Sequence, residues 1–283
     1  MWKEWIVPAA LRPATSFATL KRSFGLLNDF KYEQSDPDRF YGHLADDTVT
    51  LLERIVAGAG VVGADPGISA DAGATDSGAS SSPLAGSTIL DVGGGPGYFG
   101  KAFADRNVSY FTCEPDVGEM AAAGIKLESS VRGSGLDLPF LKDSFDLTYS
   151  SNVAEHVPDP WRMGQEMLRV TKPGGLVVYS YTIWLGPFGG HEMGMTHYLG
   201  GDRARRMYEK KHGKRPKNYY GESLFEVGCG EGLKWARTLE ESGEVEVMAA
   251  FPRYHPWWAW WMVHVPVLRE FAVSNLVLVL KKK

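Results

Sequence analysis

A glycine-rich run, Asp91-Val92-Gly93-Gly94-Gly95-Pro96-Gly97, closes an apolar stretch that begins at Thr88. Glycines there let the backbone turn tightly and approach a ligand with no Cβ in the way. A helix opening near Tyr98 would aim its unpaired N–H groups at the same place. Glu114 closes the next apolar stretch, where a carboxylate can accept from both hydroxyls of a ribose. Asp137, in Gly135-Leu136-Asp137-Leu138-Pro139-Phe140, follows a third predicted strand and can accept from an adenine amine, with Leu138 beside the ring. Behind the fourth strand stands Asn152-Val153-Ala154-Glu155-His156-Val157. His156 lies at the mouth of such a site, and an imidazole that titrates near neutrality can serve as a general base. His191, with Glu192, His197 and Tyr198, forms a second candidate set after the fifth strand. The alternative for either histidine is a packing or capping role.

The glycine run alone does not choose between nucleotide ligands. The dinucleotide pattern G-x-G-x-x-G/A asks for a small third residue. Counted from Gly93, that position is Tyr98, which would obstruct helix–strand packing; counted from Gly95, it is Gly100, which fits. The other carboxylates must decide. A metal reading of Asn152, Glu155 and His156 supplies two strong ligands, an incomplete set. The His191-Glu192 pair matches no standard zinc spacing. No metal site is therefore expected.

These residues need a scaffold that brings strand ends together. Short apolar runs at Thr88–Val92, Tyr110–Cys113, Phe145–Ser150 and Leu176–Tyr181 read as buried parallel strands. Helical stretches at Tyr98–Asp105, Val117–Ala123 and Trp161–Val170 lie between them, and Pro173-Gly174-Gly175 reads as a turn into the last of these strands. Alternation of this kind implies right-handed crossovers and a doubly wound α/β sheet. Val245–Ala250 and Val273–Leu280 read as an antiparallel pair at the sheet edge with no clear helix between them. Upstream, Asp36 can cap a helix, with Pro37 at its first position and helical apolar spacing through Val56. Residues 1–56 are thus an N-terminal helical segment expected to cover the ligand site. Residues 57–86, rich in Gly, Ala, Ser and Asp, form a flexible low-complexity insertion. Residues 87–283 make the core, with inserts at 183–229 and 252–270.

Five features together resemble one family. Ile89–Gly97, Glu114, Asp137–Phe140, Asn152–Val157 and the Leu168–Gly175 junction, in that order and spacing, are similar to the type 11 class I methyltransferases that use S-adenosyl-L-methionine. The resemblance covers residues 87–182 strongly and the two C-terminal strands loosely. It implies a Rossmann-like, seven-stranded, mostly parallel sheet with an antiparallel last strand and helices on both faces. It also implies cofactor contacts from Asp91, Gly93, Gly95, Gly97, Glu114, Asp137, Leu138 and Asn152. Methyl transfer from a sulfonium depends chiefly on positioning the acceptor, and a base is needed only for a hydroxyl or acidic carbon. His156 and His191 are the expected catalytic residues.

The acceptor must be read from the inserts. Arg203 to Lys217 is the basic block of a chain whose net charge is −4. It is either a solvated helix face or an attractor for an anionic acceptor or lipid surface. His255 to Pro266 holds tryptophans at 257, 258, 260 and 261, which suit either a packed aromatic helix or a membrane interface. These inserts resemble those of methyltransferases associated with envelope glycolipids of mycolate-making bacteria, which implies O-methylation of a glycolipid. The alternatives are a quinone-type or other small-aromatic methyltransferase, or a cofactor-binding module without catalysis. The overall charge and the Ser150-Ser151-Asn152-Val153 run argue against a nucleic-acid substrate. Two cysteines, Cys113 and Cys229, suit reduced thiols rather than a disulfide framework. No apolar run reaches the ~20 residues of a membrane span. A cytoplasmic protein is expected, with peripheral contact to the inner membrane face open and no protein partner inferable.

Overall fold

The computed structural model describes residues 7–32, 35–60, 82–95, 97–116, 118, 124 and 129–283. Seven strands form one sheet: β1 (Thr88–Val92), β2 (Ser109–Glu114), β3 (Ser130–Arg132), β4 (Phe145–Ser151), β5 (Thr171–Thr182), β6 (Val245–Pro252) and β7 (Asn275–Lys282). Their order is β3-β2-β1-β4-β5-β7-β6. Strand β7 runs antiparallel to both β5 and β6, and the pairs among β1 to β5 are parallel. The sheet is the seven-stranded, Rossmann-like one expected, and its order reverses at β1/β4, where ligands of open α/β sheets bind beyond the strands' carboxyl ends.

Period-two alternation divides the core into two layers. Ile89, Tyr110, Tyr149, Val178, Val277 and Val279 face one side with the N-terminal helices. Leu90, Val92, Cys113, Val177, Tyr179 and Leu278 face the other, with the later helices. Both faces are apolar, as a sheet covered on both sides requires. Over the first face lie a 3₁₀ turn at Ala9–Ala14, α1 (Leu20–Asp29), α2 (Pro37–Ala59) and α3 (Tyr98–Ala104). Asp36 caps α2 as expected, accepting from the Arg39 amide with Pro37 in the first turn. The helix continues to Ala59, three residues past its predicted end, and Leu84, inside the segment read as an insertion, is buried. Over the second face lie α4 (Pro160–Val170) and α6 (Cys229–Glu241), and α5 (Gly201–His212) carries the basic block.

Several local expectations change. The predicted helix Val117–Ala123 lies outside the described residues except for Gly118. Pro173-Gly174-Gly175 is not a turn before β5 but an irregularity inside it: Thr171 pairs with Phe145, and Leu176 then pairs with Leu147. The last two strands do have helices between them, a 3₁₀ helix at Trp257–His264 and α7 (Leu268–Ala272). Helix α6 was not anticipated, because two glycines in its first turn mask its pattern. Its Glu231, which accepts from the Gly228 amide, was the available signal.

Candidate active site

The glycine turn links β1 to α3 at the reversal of strand order. Gly93 donates its amide to the Cys113 carbonyl at 2.8 Å, which fixes the turn against β2. Its φ is +83°, and a Cβ there would lie 2.4 Å from the Val153 side chain. A side chain at Gly93 is thus excluded by both conformation and space, and the turn touches the loop behind β4 directly. At Gly95 (φ +53°) a Cβ would meet nothing within 4 Å, so this backbone borders open space. Tyr98 does not obstruct helix–strand packing as the spacing suggested. It turns outward and stacks on Tyr41 of α2, ring centroids 4.9 Å apart.

Two of the predicted carboxylates are buried beside this turn. Glu114 accepts from the Gly95 amide at 3.2 Å and the Asp116 amide at 3.1 Å. An ionised carboxylate has capacity for about four hydrogen bonds, so ribose hydroxyls are within its means. Asp91 accepts from the Tyr110 and Tyr149 hydroxyls at 2.7 and 2.9 Å. Burial pushes the Asp91 carboxyl up from its usual 3.8 to about 7; the two tyrosine bonds oppose the rise and the Glu114 charge adds to it. Sequence reasoning passed over both tyrosines, although parity marks them: Tyr149 pairs in register with Asp91.

Asp137 and Leu138 stand apart from this group. Asp137 is exposed in a turn beyond β3, in the field of Arg169. The Leu138 side chain, expected beside a ligand ring, is 3% exposed and belongs to the core cluster that holds Cys113 and Met163. Its amide instead donates to Glu166, and its carbonyl accepts from Arg169.

The loop behind β4 is held by polar contacts from distant strands. Asn152, at φ +59°, accepts from Asn275 of β7 and donates to the Tyr254 hydroxyl beyond β6. Asn275 also accepts from Ser180 of β5. A 3₁₀ turn follows at Ala154–His156. His156 Nδ1 lies 2.7 Å from the Ser223 carbonyl and His191 Nδ1 lies 3.1 Å from the Gly189 carbonyl. The two imidazoles meet edge to face, centroids 5.1 Å apart. The structure thus joins the two candidate histidines, which are 35 positions apart in the chain (191 minus 156). Glu192 and His197 belong to a neighbouring knot instead: Glu192 accepts from Asn218, and the His197 ring packs on Trp184 and Tyr198.

Residues 90–179 match a methyltransferase-domain family. An uncharacterised methyltransferase of Mycobacterium avium is 56% identical over 268 residues, covering 93% of this chain and 96% of its own. One from Mycobacterium tuberculosis is 56% identical over 267 residues, covering 93% and 95%. The chain belongs to this methyltransferase family. Among solved structures, the chain is similar to an S-adenosylmethionine-dependent methyltransferase from Mesorhizobium loti at 20% identity and a TM-score of 0.47, over 70% of this chain and 92% of that one.

In this methyltransferase, aromatic rings connect the glycine turn to the inserts. From Tyr98 and Tyr41 the contacts run to Phe40 (5.0 Å), then to Phe30 (5.2 Å), which stacks on Phe188 of the first insert at 6.1 Å. Tyr254 meets Phe30 edge-on at 5.9 Å. Arg253, 3% exposed, donates to Thr48 of α2, and Arg22 of α1 forms a forked bond to Asp47 while donating to the Arg253 carbonyl. These bonds tie the N-terminal helices to the end of β6. The tryptophan run divides by the three-residue period of its 3₁₀ helix. Trp260 is buried against Phe251 at 4.7 Å and Trp257 packs on the same core, while Trp258 and Trp261 are 54% and 42% exposed. The basic block begins on an exposed face of α5 and runs past its end, with Arg205 paired to Asp202 and Arg215 to Glu222. Among the described residues no helix is long and apolar enough to cross a membrane.

Proposed function

We propose that this methyltransferase uses S-adenosyl-L-methionine to methylate an oxygen of an amphiphilic acceptor, with an envelope glycolipid as the preferred form. The observation that carries the donor half is the side-chain-free turn at Gly93–Gly95, flanked by the buried carboxylates of Asp91 and Glu114 at the ends of adjacent strands. These residues fit the donor: Gly93, Gly95 and Gly97 allow close backbone approach, Glu114 suits its ribose, and Asp91 suits its ammonium. Asp137 is kept as a partner for the adenine amine, and Asn152 borders the same crevice. Bound there, the cofactor supplies a methyl group on a positively charged sulfur. The chain's remaining work is to exclude water and orient the acceptor. His156 and His191 each direct Nδ1 to a backbone carbonyl. A carbonyl can only accept, so Nδ1 carries the proton and Nε2 keeps its lone pair, available to an acceptor hydroxyl.

Support for a lipid-like acceptor comes from the apolar side chains around the inserts. Trp258, Trp261 and Val267 are exposed in the second insert and Phe271 just past its end, and Tyr198 of the first insert stacks on Phe271. Leu20, Phe24 and Leu27 expose one face of α1, and Ala18, two residues before that helix, accepts from the Trp257 amide. An exposed apolar rim of this kind suits contact with a membrane surface. The reading puts the reaction in the cytoplasm at the inner membrane face, with no nucleic acid involved. The aromatic series Tyr41, Phe40, Phe30 and Phe188 favours one second reading, a planar small-aromatic acceptor such as a quinone precursor.

Incubation with methyl-labelled donor and fractionated extracts tests the proposal. Label in an organic-phase lipid that resists mild base supports O-methylation of a lipid. Label confined to small aromatic products selects the second reading. A protein stabilised on heating by the donor, yet transferring nothing, would be a binding module.

A further inference from the structure

We propose that Glu155, His156 and His191 form a binding site for one divalent transition-metal cation at the acceptor end of the crevice. One ligand atom from each residue lies within 4.8 Å of the others. Ligands around a cation at about 2.1 Å bond lengths are roughly 3–3.5 Å apart, so a small side-chain adjustment closes the set. Spacing within one segment could not show this site, because the third ligand replaces Asn152 from an insert behind a different strand.

Three observations point to a cation rather than to a chance cluster. Glu155 is 2% exposed, its Oε1 accepts from the Thr182 amide, and its Oε2 is buried with no hydrogen-bond partner among the described residues. An unpaired carboxylate oxygen away from water is costly unless a positive charge meets it. Both histidines direct Nδ1 to backbone carbonyls, of Ser223 and of Gly189. That is the arrangement by which a metal-binding imidazole is oriented and its Nε2 left to ligate. Finally, His191 holds a left-handed backbone, φ +46°, which a residue with a Cβ adopts at a cost and which aims this ring at His156.

Two imidazoles and one carboxylate select borderline cations such as Zn²⁺, Fe²⁺ or Co²⁺ over Mg²⁺ and Ca²⁺, which prefer oxygen alone. Three protein ligands leave open positions. His156 and His191 are only partly buried, and Val153, two residues before Glu155, touches the glycine turn at Gly93. The open positions therefore lie next to the donor site, where the cation would take an acceptor hydroxyl and lower its pKa, so that its proton leaves to solvent. This role in catalysis rests on the methyl-transfer reading above and, with each Nε2 lone pair given to the cation, takes the place of direct proton removal by the histidines; the cation site itself does not rest on that reading.

The full-length protein, stripped with a chelator and dialysed, is titrated with Co²⁺ by visible absorption and with Zn²⁺ by calorimetry. The expected result is saturation at one equivalent, with affinity reduced more than about tenfold in Glu155→Gln and in His191→Asn. Glutamine keeps the acceptor for Thr182, and asparagine tolerates the left-handed backbone, so both variants retain the fold; circular dichroism and melting verify this. Wild-type protein without saturable binding, or folded variants that bind equally well, overturn the site. Thermal stabilisation by the donor is measured on the stripped protein in parallel, so loss of that response counts against the methyl-transfer reading alone. Transfer that falls on stripping and returns with the cation supports the catalytic role; undiminished transfer by stripped protein overturns it.

Discussion

The two halves of the proposed crevice, one assigned to the donor and one to the acceptor, are built differently. The donor half is made by the ends of β1, β2 and β4, neighbours in the sheet, and its residues sit in short contiguous segments. The acceptor half is assembled from the N-terminal helices, the insert behind β5 and the insert behind β6, held by contacts such as Arg253 to Thr48 and Phe30 to Phe188. Strand ends offer a rigid frame for a ligand with a fixed shape. Inserts tied together by long-range contacts can change their acceptor without disturbing that frame.

The largest effect should come from cutting the tie between the halves. Trp260→Ala removes a buried indole packed on Phe251 and should cost about 3–5 kcal/mol of stability in denaturant unfolding. A loss under about 1 kcal/mol, within the range of surface changes, would show that the second insert is not anchored in the core. Next, Gly94→Ala should disturb the donor half alone. Its new Cβ would lie 2.2 Å from Thr112 Oγ1 and 2.7 Å from Asp91 Oδ2, a clash worth about 1–3 kcal/mol. Donor-induced thermal stabilisation should fall with it; an unchanged response would remove the turn from the donor site. Glu114→Ala should weaken donor binding by about 1–3 kcal/mol, measured by calorimetry, and unchanged affinity would displace the ribose from β2.

The contrast also explains what was legible. Strand positions, parity and the glycine turn follow from local patterns: apolar runs of strand length, glycines at fixed offsets, and acids at strand ends. The β5 irregularity was not legible, because Pro173-Gly174-Gly175 carries the same residues as a true turn and only its pairing partner distinguishes them. Leu138 was assigned to the ligand by its neighbour Asp137, while burial against Met163 is a tertiary fact. His191 could be named as a candidate, but its meeting with His156 depends on how an insert folds back over β4. The split of the tryptophans needed the helix period: a 3₁₀ repeat of three separates positions 257 and 260 from 258 and 261, whereas the sequence shows only a cluster.

A smaller effect sharpens the donor half electrostatically. The folded pKa of Asp91, about 7, exceeds its usual 3.8. The folded state therefore holds this proton more tightly than the unfolded one. The resulting stability is fully present below about pH 4 and is lost as pH rises through about 7. Asp91→Asn should abolish that part of the slope. A donor ammonium favours the ionised carboxylate, so donor affinity in the wild type should rise through pH 7 and stay flat in the variant. Calorimetry on both sides of neutrality measures this, and a flat wild-type profile would mean that Asp91 does not meet the donor's charge.

The smallest effect on stability carries the most information about the acceptor half. Trp258 and Trp261 lie on the outward side of the helix whose inward side holds Trp260. Replacing both by serine removes exposed indoles only, so the unfolding free energy should move by no more than about 0.5 kcal/mol, and donor binding should not move at all. Partition onto vesicles containing anionic lipid should fall, because interfacial indoles contribute apolar area that serine lacks. If partition survives the double substitution, the basic face of α5 is the next surface to neutralise, and added salt separates the two because charge attraction weakens with screening while apolar burial does not. If stability falls by several kcal/mol instead, the outward tryptophans belong to the core after all, and the acceptor half is a packed extension of the sheet rather than a surface turned toward lipid.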